Sequence, residues 1–261
     1  MNVWESLILG IVQGATEFLP VSSSGHLVIV QEVLGVDVEG VLFEVAVHVA
    51  TLLSILMVYR QRVTSLAGGV LTRDADAIHY VLLLVVATLP AALLGLFAKD
   101  SIEALFDMPA TPGVALIVTG GFLWTSRSAI ARAVNEQPGW GAALLIGMAQ
   151  AGALVPGISR AGATVVAALW LGVRAREAAA FSFLMAVPAI AGAAVLQIPE
   201  VQAGFTGIGV APLLVGSVAA GITGVLAIRT FVAVLARESF HFFAPYCWAV
   251  GTAFLIYLSV V

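Results

Sequence analysis

Six apolar runs, roughly 41–59, 78–98, 111–126, 178–198, 208–228 and 242–261, are long enough, or nearly so, to cross a bilayer. In hydrocarbon each backbone N–H and C=O must be paired within its own segment, so such runs fold as helices. Charged residues make up only 10% of the 261-residue chain, against about 25% in ordinary soluble domains. The mean hydropathy is +1.08, and a soluble chain of this length would need far more polar surface. The expected class is an all-α polytopic membrane protein. The modest net charge of −4 and the lack of a basic run give no sign of nucleic acid as a partner. The lone Cys247 excludes a disulfide framework and a cysteine metal cluster. Residues 1–19 lack a basic leader and no small-residue cleavage site follows, so no separate signal peptide is expected.

Two further hydrophobic regions are broken. Residues 3–34 are cut by Pro20 and the run Ser22, Ser23, Ser24, and residues 140–172 by "VPGISRAGAT". Each half is too short to cross alone and reads as re-entrant. Both regions are expected to be helix–loop–helix hairpins that enter the membrane and return, rather than single kinked spans.

The two regions match without gaps at an offset of 147 − 10 = 137. That register superposes Gly10 on Gly147, Gln13 on Gln150, Ser22 on Ser159 and Gly25 on Gly162. A weaker echo pairs Phe43 with Phe181 and Val49 with Val187. The chain reads as one membrane domain, 1–261, built from two repeats. Repeat one, 1–127, has hairpin 3–34 plus three spans; repeat two, 140–261, has hairpin 140–172 plus three spans. A hairpin returns to its own side and three spans end opposite, so the second repeat starts upside down. This is an inverted-topology plan.

Basic residues agree with that plan. Arg60, Arg62, Arg73, Arg127, Arg132, Arg174, Arg176, Arg229 and Arg237 collect on one side. The other side has only Lys99, with Asp37, Glu39, Asp100, Glu103 and Asp107. The arginine-rich side is expected to be cytoplasmic, which puts both termini and the first hairpin's entry on the outer face.

Arg160 is left at the tip of the second hairpin, inside the membrane. A buried arginine is costly unless paired or wet, and its natural company is Glu17 on the first tip. Its planar fork suits phosphate oxygens. Gly157 and Gly162 would let backbone N–H groups approach an anion, and Ser159 and Thr164 would donate hydroxyls. A half-helix starting near Ala161 would add its positive end. On the first tip, His26 is a candidate general acid or base, and Ser22, Ser23 and Ser24 are candidate nucleophiles. The serines also have a plainer role, satisfying backbone freed at a re-entrant turn. Glu17 is expected to orient His26, to hold a metal ion, or to be the base itself, with a purely structural bridge to Arg160 as the alternative. Gln13 lies one turn before it on the same face. One carboxylate with phosphate oxygens favours Mg²⁺ or Ca²⁺, so a divalent cation at Glu17 is the expected cofactor. His48, a turn after Glu44, reads as a structural polar contact near this site.

"QGATE" (Gln13 to Glu17), the following "FLPVSSSGH" and the later "PGISRAGAT" (Pro156 to Thr164) together resemble the undecaprenyl-pyrophosphate phosphatase family of the bacitracin-resistance type. The resemblance extends to "FEVAVH", "LPAALLG" and "FSFLMAVPAIAGA". It implies a phosphatase of the bacterial plasma (inner) membrane. Its substrate would be C55 polyprenyl pyrophosphate, and its product the monophosphate that carries cell-wall precursors. By motif match Glu17, Ser23, His26 and Arg160 carry over as catalytic. Gln13, Ser22, Ser159 and Thr164 carry over as phosphate-shell or supporting residues, and Ser24, Gly157 and Gly162 complete the expected substrate-binding set. The residues leave open whether Ser23 attacks or water does, and whether the protein is a monomer or a homodimer. The competing function is transport: an inverted repeat with an Arg–Glu–His cluster also suits a lipid or anion transporter or flippase.

Overall fold

Both broken regions fold as helix, break, helix in a computed structural model that describes residues 1–36, 41–199 and 208–260. Helix α1 (Val3–Phe18) ends before Pro20, and α2 (Ser23–Leu34) follows; α8 (Trp140–Gly152) and α9 (Arg160–Trp170) repeat the pattern. Each returning helix is capped alike. Ser22 Oγ accepts from the Gly25 N–H at 3.3 Å, and Ser159 Oγ accepts from the Gly162 N–H at 3.1 Å. Two of the identities aligned at offset 137 are therefore a cap and its donor. Ser22 takes φ +68°, a left-handed value uncommon for serine, at the sharpest point of the first break.

The longer helices are α3 (Leu42–Val58), α5 (Ala75–Phe97), α7 (Thr111–Ile130), α10 (Ala175–Leu196), α11 (Val210–Ala236) and α12 (Phe243–Val260). Among the described residues, five helices are long and apolar enough to cross a membrane. A sixth span results if α3 is joined to α4 (Arg60–Leu71), which is bent from it by 79°. Hydropathy left α4 and the short α6 (Lys99–Phe106) as connecting segments. Neither buries a residue, and charged residues such as Arg60, Arg62, Lys99, Asp100 and Glu103 kept both from reading as apolar runs. Asp37 and Glu39, assigned above to the arginine-poor side, lie outside the described residues.

Small residues let the helices approach. Helix α1 lies parallel to α11: Ser6 Oγ donates to the Pro212 carbonyl at 2.5 Å, Gly10 backs onto Gly216, and Gly14 backs onto Ala220. Helix α8 lies parallel to α5 in the same way, with Trp140 edge-on to His79 and Gly147 backed onto Ala87. Gly10 and Gly147, aligned in sequence, thus do the same work in separate helix pairs. Helices α7 and α12 cross antiparallel, Gly113 against Gly251 and Gly120 against Trp248. Helix α3 runs antiparallel to α10: Val45 and His48 share one cavity with Ala189 and Ala193, and Val58 shares another with Ala180. The aligned Phe43 and Phe181 are both buried, one against Gly216 and the other edge-on to Tyr80.

The close pairs carry a prediction. A methyl on Gly10 or Gly147 overlaps the partner backbone, whereas one on Gly95 meets nothing within 4 Å. Gly10→Ala and Gly147→Ala should each destabilise by about 1–3 kcal/mol, read as a lower thermal midpoint in detergent. Gly95→Ala should leave the midpoint unchanged or raise it.

Candidate active site

The two breaks meet. A Cβ on Gly25 would stand 3.0 Å from the Gly157 Cα, so no side chain separates the tips there. Gly157 has φ +98°, which glycine adopts readily. Thr119 of α7 fixes it: Thr119 Oγ1 donates to the Gly157 carbonyl at 2.9 Å and accepts from the Ser159 N–H at 3.2 Å.

Across this junction Arg160 Nη2 bonds Glu17 Oε1 at 2.5 Å. The other carboxylate oxygen, Oε2, accepts from Ser23 Oγ at 2.5 Å and from Gln13 Nε2 at 3.0 Å. His48 Nε2 stands 3.9 Å from the same oxygen, its ring held by an Nδ1–H donated to the Glu44 carbonyl at 2.7 Å. Glu17 is the hub, reached by both hairpins and by α3.

A cavity of about 270 Å³ opens beside it. Glu17, Ser22, Ser23, Ser24, Ser159 and Arg160 line it, together with His48 and Gln150. The remaining wall is largely apolar and includes Val45, Ala91, Phe106, Leu154 and Ile190. Gln150 is 3% exposed, and neither atom of its amide has a partner among the described residues. Arg160 Nη1 and Gln13 Oε1 are likewise buried and unpartnered. Buried polar atoms are normally paired. The free donors of Gln150 and Arg160 border the same space, as a site for an anionic guest requires.

Other expected site residues take structural positions. The Ser22 and Ser159 hydroxyls cap α2 and α9, and the Gly162 N–H is used in that cap. Thr164 is fully buried off the cavity; its hydroxyl contacts the Arg160 carbonyl at 2.7 Å and Ser182 Oγ at 2.6 Å, tying α9 to α10. His26 faces elsewhere. Its Nδ1–H donates to the Ser22 carbonyl at 2.8 Å, so Nε2 in the neutral ring accepts from the Tyr246 hydroxyl at 2.9 Å. The ring stacks on Tyr246 and does not line the cavity. The group bonded to Ser23 is Glu17, and the imidazole nearest Glu17 is that of His48.

Among the described residues no three His, Cys, Asp or Glu side chains gather as a metal cluster. Beside Glu17 the cavity offers the neutral oxygen Ser23 Oγ, while Gln13 turns its amide nitrogen to Glu17 and does not line the cavity. A carboxylate and a hydroxyl oxygen are hard donors of the kind Mg²⁺ and Ca²⁺ take, and by themselves short of a full ligand set.

Gln150 was not among the expected site residues, yet its alignment with Gln13 was the signal for it. Thr119 gave none, being one hydroxyl in an apolar run.

The sequence model for the family described as bacitracin resistance protein BacA matches residues 6–253. A protein of Desulforapulum autotrophicum named undecaprenyl-diphosphatase is 37% identical, the match covering 98% of each chain. One of the same name from Desulfosudis oleivorans is 39% identical, over 96% of this chain and 97% of its own. Another, from Carboxydothermus hydrogenoformans, is 38% identical, over 98% and 97% respectively. With the match running through both broken segments and the helices between them, the chain belongs to the bacitracin resistance protein BacA family.

Proposed function

We propose that the protein is an integral membrane phosphatase that hydrolyses undecaprenyl pyrophosphate to the monophosphate. This regenerates the cell-wall lipid carrier and confers bacitracin resistance. One observation carries the reading: Arg160, Glu17 and Ser23 form a single bonded chain across the meeting tips, on the wall of a cavity with unpartnered buried donors. The curated relatives are named as diphosphatases, which favours hydrolysis over transport.

The pyrophosphate enters the cavity, and its prenyl chain leaves along the apolar wall at Ala91, Phe106 and Ile190 into the bilayer. Arg160 and Gln150 take oxygens of the transferred phosphoryl. The amide ends of α2 and α9 point to the same region and favour negative charge. Ser23 Oγ attacks the terminal phosphorus while Glu17 accepts its proton. The bond to the bridging oxygen breaks, and polyprenyl monophosphate leaves. Water then cleaves the serine phosphate, with Glu17 returning the proton to Ser23. The 2.5 Å Ser23–Glu17 bond favours this route over direct attack by water. His48 stands behind Glu17 as a second proton acceptor, and His26 positions the α2 turn through the Ser22 carbonyl. A divalent cation, with Glu17 as its protein ligand, would neutralise phosphate charge.

The inverted repeat belongs to the same reading. Its supports are the repeated caps, the matched pairs α1 with α11 and α8 with α5, and the antiparallel self-pairs α7 with α12 and α3 with α10. Since α11 ends among arginines and α5 starts among them, α1 and α8 begin at opposite faces. We place the arginine-rich end in the cytoplasm of a bacterial inner membrane, with both hairpins re-entrant and the termini on the outer face.

Phosphate release from a polyprenyl pyrophosphate by the purified protein tests the function directly. Arg160→Ala should lower the rate by about 10²–10³-fold, and Ser23→Ala and Glu17→Gln should be comparably impaired. Near-normal turnover by Ser23→Ala would eliminate the serine route; near-normal turnover by Arg160→Ala would remove the site assignment. Gln150→Leu should lower kcat/KM by roughly 10–100-fold, the worth of a hydrogen bond to a charged group. The same change should leave the ligand-free thermal midpoint equal or higher, because an unpartnered buried amide is lost. Gln13→Glu adds a carboxylate beside Glu17 and should lower the Mg²⁺ or Ca²⁺ concentration needed for half-maximal rate; an unchanged metal titration would count against a cation there.

A further inference from the structure

A second cavity, of about 360 Å³, lies at the other end of α3 and α10, within the ~300–1,000 Å³ range of small-ligand sites. The first cavity touches α10 from Ala189 onward, and the second touches Ala180. At 1.5 Å per residue the two are roughly 14 Å apart. Between them stands a contiguous set of aromatic contacts, Phe18 on Phe183, Phe183 on Tyr59, and Phe183 on Phe231. The second cavity is therefore a separate place and not an arm of the active site.

Its rim is cationic. Arg62, Arg176 and Arg229 line it with one acid, Glu177, a formal local charge of 3 − 1 = +2. Arg62 is already engaged, 3.9 Å from Glu177 and over the Tyr80 ring at 4.8 Å. Arg176 and Arg229 have no ion pair among the described residues. Helix α10 also begins here with no side-chain cap at Arg174, leaving its amide end open to negative charge. The cavity floor is apolar, formed partly by Ile228 and Val232. The neighbouring outward face of α11 carries exposed Ile222 and Leu226. Two free arginine forks above an apolar helix face in a membrane chain match one ligand chemistry, a phosphate headgroup carrying a hydrocarbon tail.

We propose that this cavity binds a lipid phosphate, with Arg176 and Arg229 holding the phosphate oxygens and the tail lying along α11. The assignment does not depend on the catalytic reading. The headgroup has two sources, a prenyl phosphate or an anionic glycerophospholipid, and one experiment separates them. The full-length protein in neutral detergent is titrated with farnesyl phosphate, with dioleoylphosphatidylglycerol, and with inorganic phosphate as the tailless control, following the thermal midpoint. At least one lipid should raise the wild-type midpoint, and the one with the larger shift at equal concentration names the source. In Arg176→Gln/Arg229→Gln the apparent affinity of that lipid should fall roughly tenfold or more, with pyrophosphate hydrolysis unchanged. Glu177→Gln removes the competing acid and should tighten binding, which keeps the test decisive should the double variant fail to fold. The proposal is overturned if neither lipid shifts the wild type, if inorganic phosphate gives the same shift, or if the lipid shift is insensitive to these substitutions.

Discussion

A guanidinium and a carboxylate held inside a membrane-spanning body set the terms for everything around them. Neither ion is tolerable there alone, so Arg160 and Glu17 must arrive together although 143 residues separate them in sequence. Bringing them together needs two chain breaks inside the apolar body, and each break needs its own backbone satisfied. The serine caps, the Thr119 clamp and the glycine contact between the tips meet that need. The glycine-lined helix pairs then hold α1 and α8, the first helix of each broken segment, against a full-length helix.

A single ion pair would be structure and no more. The chain leaves it deliberately incomplete: Arg160 keeps one nitrogen free, Glu17 receives the Ser23 proton donor, and Gln150 contributes an amide with both atoms unbonded. Replacement of such groups by apolar ones would be neutral or stabilising in a protein selected for stability alone. Their gathering at one cavity is what the proposed phosphatase reading accounts for and a purely structural bridge does not.

Much of this was legible in the sequence because two different physical needs wrote to the same positions. Hydropathy located the spans and the two breaks. The offset of 137 picked out cap serines, cap-donor glycines and packing glycines, each fixed by backbone geometry. The meeting of Glu17 with Arg160 followed from the cost of an unpaired arginine. What stayed hidden was orientation and polarity without pattern. His26 shares a turn with the serines, yet its ring is committed to the Ser22 carbonyl and to Tyr246, 220 residues away. His48 was expected near the site as a structural contact, but not its approach to Glu17 from another helix; the amphipathic α4 and α6 carry too little apolar surface to register as elements.

The glycine contact between the tips has one more consequence. Because Gly25 and Gly157 touch backbone to backbone, no rotamer change can widen the gap between the serine-bearing turn and the arginine-bearing turn. The pocket is a fixed gauge and not an adjustable grip. On the proposed reading the two turns would present a pyrophosphate with one set spacing, fixed by backbone and not by side-chain rotamers.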